Sequence, residues 1–243
     1  MTVGLESPQA LAQRLAAVLT RRGEKLAVAE GATGGALSSL LTDIPGSSAW
    51  LRVGIVAYTD FPKQLLLRVS SETIQEHGGI GAEATVQMAR LARRVFATDW
   101  AVAITGYADD TAPTIDVRAQ GVPARNPEGV ELIDEPKSAP QAGLTYLAVA
   151  GWAEQPTEEH PDTHLWEERL LPATDRRTYK EEAAASAIEL LLSTIEQAET
   201  AATTAPQPRA RKGAAKKAAS KKRSPKRRSQ VSAKPRLVPK HAP

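Results

Sequence analysis

The sequence predicts an α/β layered domain followed by a strongly basic tail, and three observations carry that expectation. Apolar strand-like runs alternate with one-faced helical stretches from residue 8 to about residue 199, the order expected when helices cover a sheet. The run Trp100-Ala101-Val102-Ala103-Ile104 is near-continuously apolar, as a strand covered on both faces is. From residue 205 onward the chain holds 14 Lys and Arg and no Asp or Glu. The expected organisation is a domain over 1–200, with an inserted loop over 109–142, and a disordered basic tail over 201–243.

Taken in order, residues 8–22 place Leu11, Leu15, Val18 and Leu19 on one helical face; Ser7 suits the cap, Pro8 the first turn and Gly23 the stop. A short strand follows over Lys25–Ala29, ending at Glu30. Gly31-Ala32-Thr33-Gly34-Gly35 then leads into a helix reaching about Asp43. Strand, glycine-rich turn and helix start together aim backbone N–H groups at one point, which favours an anion or developing oxyanion. Pro45-Gly46-Ser47-Ser48 breaks the chain before a second strand over Val53–Tyr58, and a short helix is expected around Pro62–Val69. Residues 82–97 set Met88, Leu91, Ala92 and Val95 on one face. The strand at 100–104 ends at Thr105-Gly106. Residues 109–142 are rich in Pro, Asp, Gly and Ala without a period and predict a loop. Strands are expected over Leu144–Ala150 and Leu165–Leu171, and a last helix from about Asp175 to Glu199.

Composition removes several function classes. With no cysteine there is no disulfide, thiolate metal site or cysteine nucleophile. The first residues lack the basic flank and apolar run of a signal peptide, and no apolar stretch approaches the roughly 20 residues that span a bilayer, so the expected location is cytoplasmic. The overall charge of +3 averages two opposite parts: residues 1–204 carry 17 basic against 28 acidic side chains.

Several segments resemble one family in order. Leu26-Ala27-Val28-Ala29-Glu30 with Thr33-Gly34-Gly35 is similar to an A-E-S-C-T-G-G signature. Leu41–Trp50 is similar to an L-T-x-x-P-G-S-S segment, and Val56-Ala57-Tyr58-Thr59-Asp60 through Lys63 to a V-x-Y-S-N-x-x-K element. His77-Gly78, Met88-Ala89, Ile104-Thr105-Gly106, Gly143-Leu144-Thr145-Tyr146 and Asp175-Arg176 follow in place. The family is that of the CinA C-terminal domain, the nicotinamide-nucleotide amidases, and the resemblance covers roughly residues 8–195. It implies a three-layer α/β/α sandwich with a mostly parallel or mixed central sheet, a homo-oligomer, and no metal or organic cofactor. It also implies hydrolysis of the carboxamide of nicotinamide mononucleotide or a related pyridine nucleotide, giving nicotinate mononucleotide and ammonia.

Amide hydrolysis without metal or cysteine needs an activated hydroxyl, a base and an oxyanion site. The resemblance implies a serine–lysine arrangement in which Ser48 is the nucleophile, Lys63 the base and Tyr58 a proton relay. It assigns substrate binding to Glu30, Thr33, Gly34, Gly35, Thr105, Gly106 and Arg176, the last as a cation for the nucleotide phosphate. Each residue also has an ordinary structural reading: Ser48 as a helix cap, Lys63 as a solvated surface residue, Tyr58 as a strand-end residue, and the glycines and Thr105-Gly106 as turns.

The sequence departs from the family at the centre of the site. Gly31-Ala32 replaces the signature Ser-Cys, removing a hydroxyl, and Gly81 stands where serine is usual. Tyr107-Ala108-Asp109-Asp110 replaces an I-A-G-P loop, which sets two carboxylates where they would repel a substrate phosphate. Either the substrate has changed, or the domain has lost catalysis and become a silent nucleotide-binding or scaffold domain. His160 and His164 lie near Glu158, Glu159 and Asp162, but Glu154–His164 has two prolines and no apolar face, which favours a solvated loop over a metal site. The Lys- and Ala-rich tail resembles those of linker-histone-like proteins. Its expected partner is the phosphate backbone of nucleic acid, bound through 209–240 without base readout.

Overall fold

A computed structural model describes residues 6–110, 141–152 and 162–204. The chain divides into two units, Met1–Ala205 and Pro206–Pro243, and the described residues all lie in the first.

Helix α1 (Pro8–Arg22) begins at Ser7, whose Oγ accepts from Ala10 N at 3.2 Å, and ends at Gly23 with φ +67°. It buries Leu11, Leu15 and Leu19, each contributing about 1.5–3 kcal/mol relative to an exposed side chain. Strand β1 (Leu26–Glu30), helix α2 (Ala36–Thr42), a 3₁₀ turn (Ser47–Ala49) and strand β2 (Leu51–Val56) follow. Next come α3 (Asp60–Leu67), α4 (Ser71–His77) and α5 (Ala82–Val95), then β3 (Trp100–Gly106), β4 (Leu144–Trp152), β5 (Asp162–Leu170) and α6 (Arg176–Thr204).

The five strands form one mixed sheet in the order β2-β1-β3-β4-β5. β1 pairs in parallel with β2 and β3, whereas β3–β4 and β4–β5 are antiparallel. The result is the expected three-layer α/β/α sandwich. Period-two alternation sorts the two faces by size. Leu26, Val28, Val102, Ile104, Leu147 and Val149 join the core built with α1, α2 and α6. Ala27, Ala29, Ala101, Ala103, Ala148 and Ala150 face the other core, with Met88, Ala89 and Ala92 of α5. Short side chains on that face let α5 approach the sheet closely, so a larger residue there would overpack it by about 1–3 kcal/mol.

Several boundaries differ from the sequence expectation. Helix α4 was not anticipated; Ser70 caps it, its Oγ accepting from Thr73 N at 3.0 Å. β2 starts at Leu51 rather than Val53, because it is an edge strand with alternating burial and its first residues lack an apolar run. Thr105 and Gly106 belong to β3 rather than to a turn, since they pair with Tyr146 and Thr145. β5 begins at Asp162, so 162–164 are strand paired to 150–152, not loop. α6 continues to Thr204. Most of the expected 109–142 loop, and His160, lie outside the described residues, as does the tail. Among the described residues there is no cluster of three or more His, Asp or Glu able to hold a metal ion, and no helix is long and apolar enough to cross a membrane.

Candidate functional site

Because β1, β2 and β3 run in parallel, their carboxyl ends share one rim of the sheet, the place where open α/β sheets gather ligands. Glu30, the segment after Val56, and Gly106 all reach it. The sequence-derived residues divide sharply by what their polar atoms do there.

Glu30 is fully buried and accepts five hydrogen bonds. Its Oε2 takes Thr33 Oγ1 at 2.7 Å, Gly35 N at 3.0 Å and Leu37 N at 3.1 Å; its Oε1 takes Ser38 N at 2.9 Å and Ser38 Oγ at 2.5 Å. Gly34 N donates to Gly31 O and Ala36 N to Thr33 O. Gly34 and Gly35 have φ of +59° and +99°, a conformation that lets the turn wrap this carboxylate. The anion cradle expected from the glycine-rich turn therefore exists, and the protein's own Glu30 fills it. Glu30, Thr33 and Gly35 hold the turn together through these bonds.

Lys63 is also interior. Its Nζ donates to Asp60 Oδ1 at 2.9 Å and to Gly79 O at 2.6 Å, with the lysine side chain 2% exposed. Asp60 stands where the V-x-Y-S-N-x-x-K pattern carries asparagine. Its carboxylate packs so closely on Gly79 that a Cβ there would fall 1.5 Å from Asp60 Oδ1. Sequence reasoning passed over Asp60, although the i, i+3 spacing to Lys63 on one helix was the available signal.

Ser48 does not join this group. It is exposed in the turn Ser47–Ala49, which precedes β2; Lys25 Nζ donates to Ala49 O and Leu26 N to Trp50 O at the start of β1. Lys63 follows the opposite end of β2. Six strand residues separate the two ends, roughly 20 Å at about 3.3 Å per residue. The expected serine–lysine contact is not formed within the chain.

At Gly31 a Cβ would meet Ile104 O at 3.2 Å, a tight contact, and Ala57 O and Thr105 Cα at 3.8 Å, so backbone lines the position where the signature serine would stand. Thr105 is 1% exposed, and its Oγ1 lies 2.7 Å from Thr85 Oγ1. Thr85 Oγ1 donates to Gly81 O at 2.6 Å, so the single remaining proton of the pair makes Thr105 the donor to Thr85. Gly106 is required by close approach, because a Cβ would fall 2.4 Å from Tyr179 Oη and 2.6 Å from Leu144 O. Tyr179 Oη is 3.0 Å from Thr145 Oγ1, and burial pushes its pKa up against the lowering effects of Thr145 and Arg176. Thr105 and Gly106 are packing residues of the rim.

What the rim offers to solvent is a smaller set. Tyr58 is half exposed, and its hydroxyl accepts from Arg176 Nη2 at 3.0 Å. Arg176 Nη1 donates to Asp109 Oδ2; that carboxylate raises the arginine pKa against the lowering effect of burial. One turn on, Lys180 Nζ lies 3.3 Å from where a Gly34 Cβ would stand. Lys180 escaped the sequence reading, although its i+4 spacing from Arg176 was visible. Of the two carboxylates expected to repel a phosphate, Asp109 pairs with Arg176, and Asp110 Oδ1 accepts from Ala142 N at 2.6 Å.

Comparison with known proteins places this geometry. Residues 8–119 match the family described as the CinA C-terminal domain. A CinA-like protein of Synechococcus sp. is 48% identical over 98 residues, which are 40% of this chain and 23% of that protein. One of Anaeromyxobacter sp. is 36% identical over 130 residues, 53% of this chain and 31% of the relative. The chain thus spans about a quarter to a third of the length of these curated relatives. Among solved structures, the competence/damage inducible protein CihA of Agrobacterium tumefaciens aligns with a TM-score of 0.59 and 26% identity, covering 79% of this chain and 98% of that one.

Proposed function

Residues 8–119 belong to the CinA C-terminal domain family, and from that premise we propose that the domain binds a pyridine-nucleotide-type ligand at the carboxyl rim of its sheet without hydrolysing the ligand's amide. The ligand class comes from the family resemblance. The loss of hydrolysis rests on one observation, the dispersal of the serine–lysine groups. Gly31 carries no hydroxyl, Ser48 lies at the other rim, and Lys63 is engaged by Asp60 and Gly79 inside the protein. The serine–lysine pair that would supply a side-chain nucleophile and its base is then not assembled at the carboxyl rim. Fold alone does not preserve the reaction. Tyr58, Arg176 and Lys180 remain to stack on or neutralise parts of a nucleotide.

Calorimetric titration with nicotinamide mononucleotide, run alongside an ammonia assay, tests this. Saturable binding with no ammonia release is expected. No binding of either the nucleotide or its nucleoside would refute the ligand class. Ammonia release that Ser48→Ala abolishes would restore the serine–lysine hydrolase, with Ser48 acting from its own rim or across a second copy.

The basic tail supports an added role as a tether. Fourteen Lys and Arg without a counter-charge or aromatic residue between 205 and 243 suit phosphate-backbone contact without sequence readout, and each phosphate contact steepens the salt dependence. Deleting 205–243 should abolish retention on duplex DNA or RNA at low salt; unchanged retention refutes the tether.

A further inference from the structure

Asp109, Arg176 and Tyr58 come from three separate segments: Tyr58 follows β2, Asp109 follows β3, and Arg176 opens α6. They meet in one bridge, with Arg176 donating to Asp109 Oδ2 and to Tyr58 Oη. The carboxylate is presented by an anchored segment. Tyr107 N donates to Leu144 O at 2.9 Å, Gly143 N to Tyr107 O at 2.8 Å, and Ala142 N to Asp110. Asp109 is thus fixed at the arginine by neighbours that do not themselves need the ion pair.

We infer that Asp109 is a specificity-determining residue, an internal competitor that occupies Arg176 and disfavours ligands presenting a phosphate or other anionic group there. Arg176 is the rim cation with a planar fork suited to a phosphate, and Asp109 neutralises it. Their side chains are 52% and 37% exposed, so water screens the pair and an anion can displace the carboxylate, in contrast to the buried Lys63–Asp60 pair. Lys180 stands one helical turn away beside Gly34 and has no hydrogen bond or ion pair among the described residues, so a displaced Arg176 and Lys180 would share an incoming anion. The site therefore prefers an uncharged nucleoside-type ligand, or a singly charged one, over a phosphorylated one until Asp109 is moved aside.

The inference rests on the rim being the ligand site, but its test does not need the ligand. Inorganic phosphate is titrated into the full chain while the Arg176 Nε–H signal is followed by nitrogen-15 NMR, the signal being assigned with Arg176→Gln. In Asp109→Asn, which keeps shape and removes charge, the midpoint should fall about tenfold relative to wild type. Asp110→Asn should leave the midpoint unchanged, since Asp110 is held on Ala142 N. Equal midpoints in wild type and Asp109→Asn, no response of Arg176 in Asp109→Asn, or the same gain in Asp110→Asn would each overturn the inference. If phosphate behaves as expected while neither nicotinamide mononucleotide nor its nucleoside moves a signal in wild type or in Asp109→Asn, Asp109 keeps its role and the pyridine-nucleotide reading fails instead.

Discussion

Two carboxylates at the same rim, Glu30 and Asp109, have opposite lives. Glu30 is sealed in, with five hydrogen bonds that all come from one loop and the first turn of the helix after it. Asp109 is solvent-reached and pairs with Arg176 from a distant segment. Both are anions occupying a cationic or donor-rich position that would otherwise be open to a ligand. The difference lies in exchangeability: burial makes Glu30 a permanent part of the fold, and exposure makes Asp109 replaceable. A glycine-rich turn or an arginine therefore says little about ligand binding until the protein's own acceptors are placed.

That contrast can be broken at its strongest point first. Glu30→Ala leaves three backbone N–H groups and two hydroxyls without their acceptor, and should destabilise the domain by about 4–5 kcal/mol in chemical denaturation. A loss below about 1 kcal/mol would mean that water replaces the carboxylate, and that the turn is open to anions after all. Lys63→Met comes next. It leaves Asp60 buried without its cation and should cost about 3 kcal/mol, with much of that recovered when Asp60→Asn is added. If the single variant is as stable as wild type, Lys63 is not committed to the fold and its candidacy as a base returns.

Asp109→Asn sits at the weak end, with a stability change within about 1 kcal/mol because the pair is exposed. Its effect should appear in phosphate affinity instead. The smallest expected effect is electrostatic and lies at the start of α6. Asp175 accepts from Arg177 N, Thr178 N and Thr178 Oγ1, and the Thr178 hydroxyl above all lowers its pKa from the ordinary 3.8. A depressed folded value means that this group's stabilising contribution is complete above the unfolded value of about 3.9 and is lost as pH falls through the folded one. Asp175→Asn should flatten the acid limb of a pH–stability profile; an unchanged limb would contradict the cap.

Much of the fold was legible in the sequence, and the reason is periodicity. α1, α5, β1 and β3 each carry a repeat that only one element type satisfies, and Ser7, Pro8 and Gly23 bracket α1 chemically. α4 was missed because seven polar-rich residues hold too little pattern, although Ser70 and Thr73 carried a capping signal. The candidate site was legible only as a set of residue types. Nothing in the sequence states that Glu30 would turn back onto Gly35, Leu37 and Ser38, or that Thr105 would face Thr85 rather than solvent. Ser48 shows the limit most clearly. It stands ten residues before Tyr58 and fifteen before Lys63, yet a strand between them carries it to the other rim.

The most direct test of the account is a chemical-shift map of the full chain titrated with nicotinamide mononucleotide. Perturbations are expected at Tyr58, Asp109, Arg176 and Lys180, with Ser47–Ala49 silent. Shifts centred on Ser47–Ala49, with the carboxyl rim unmoved, would contradict it.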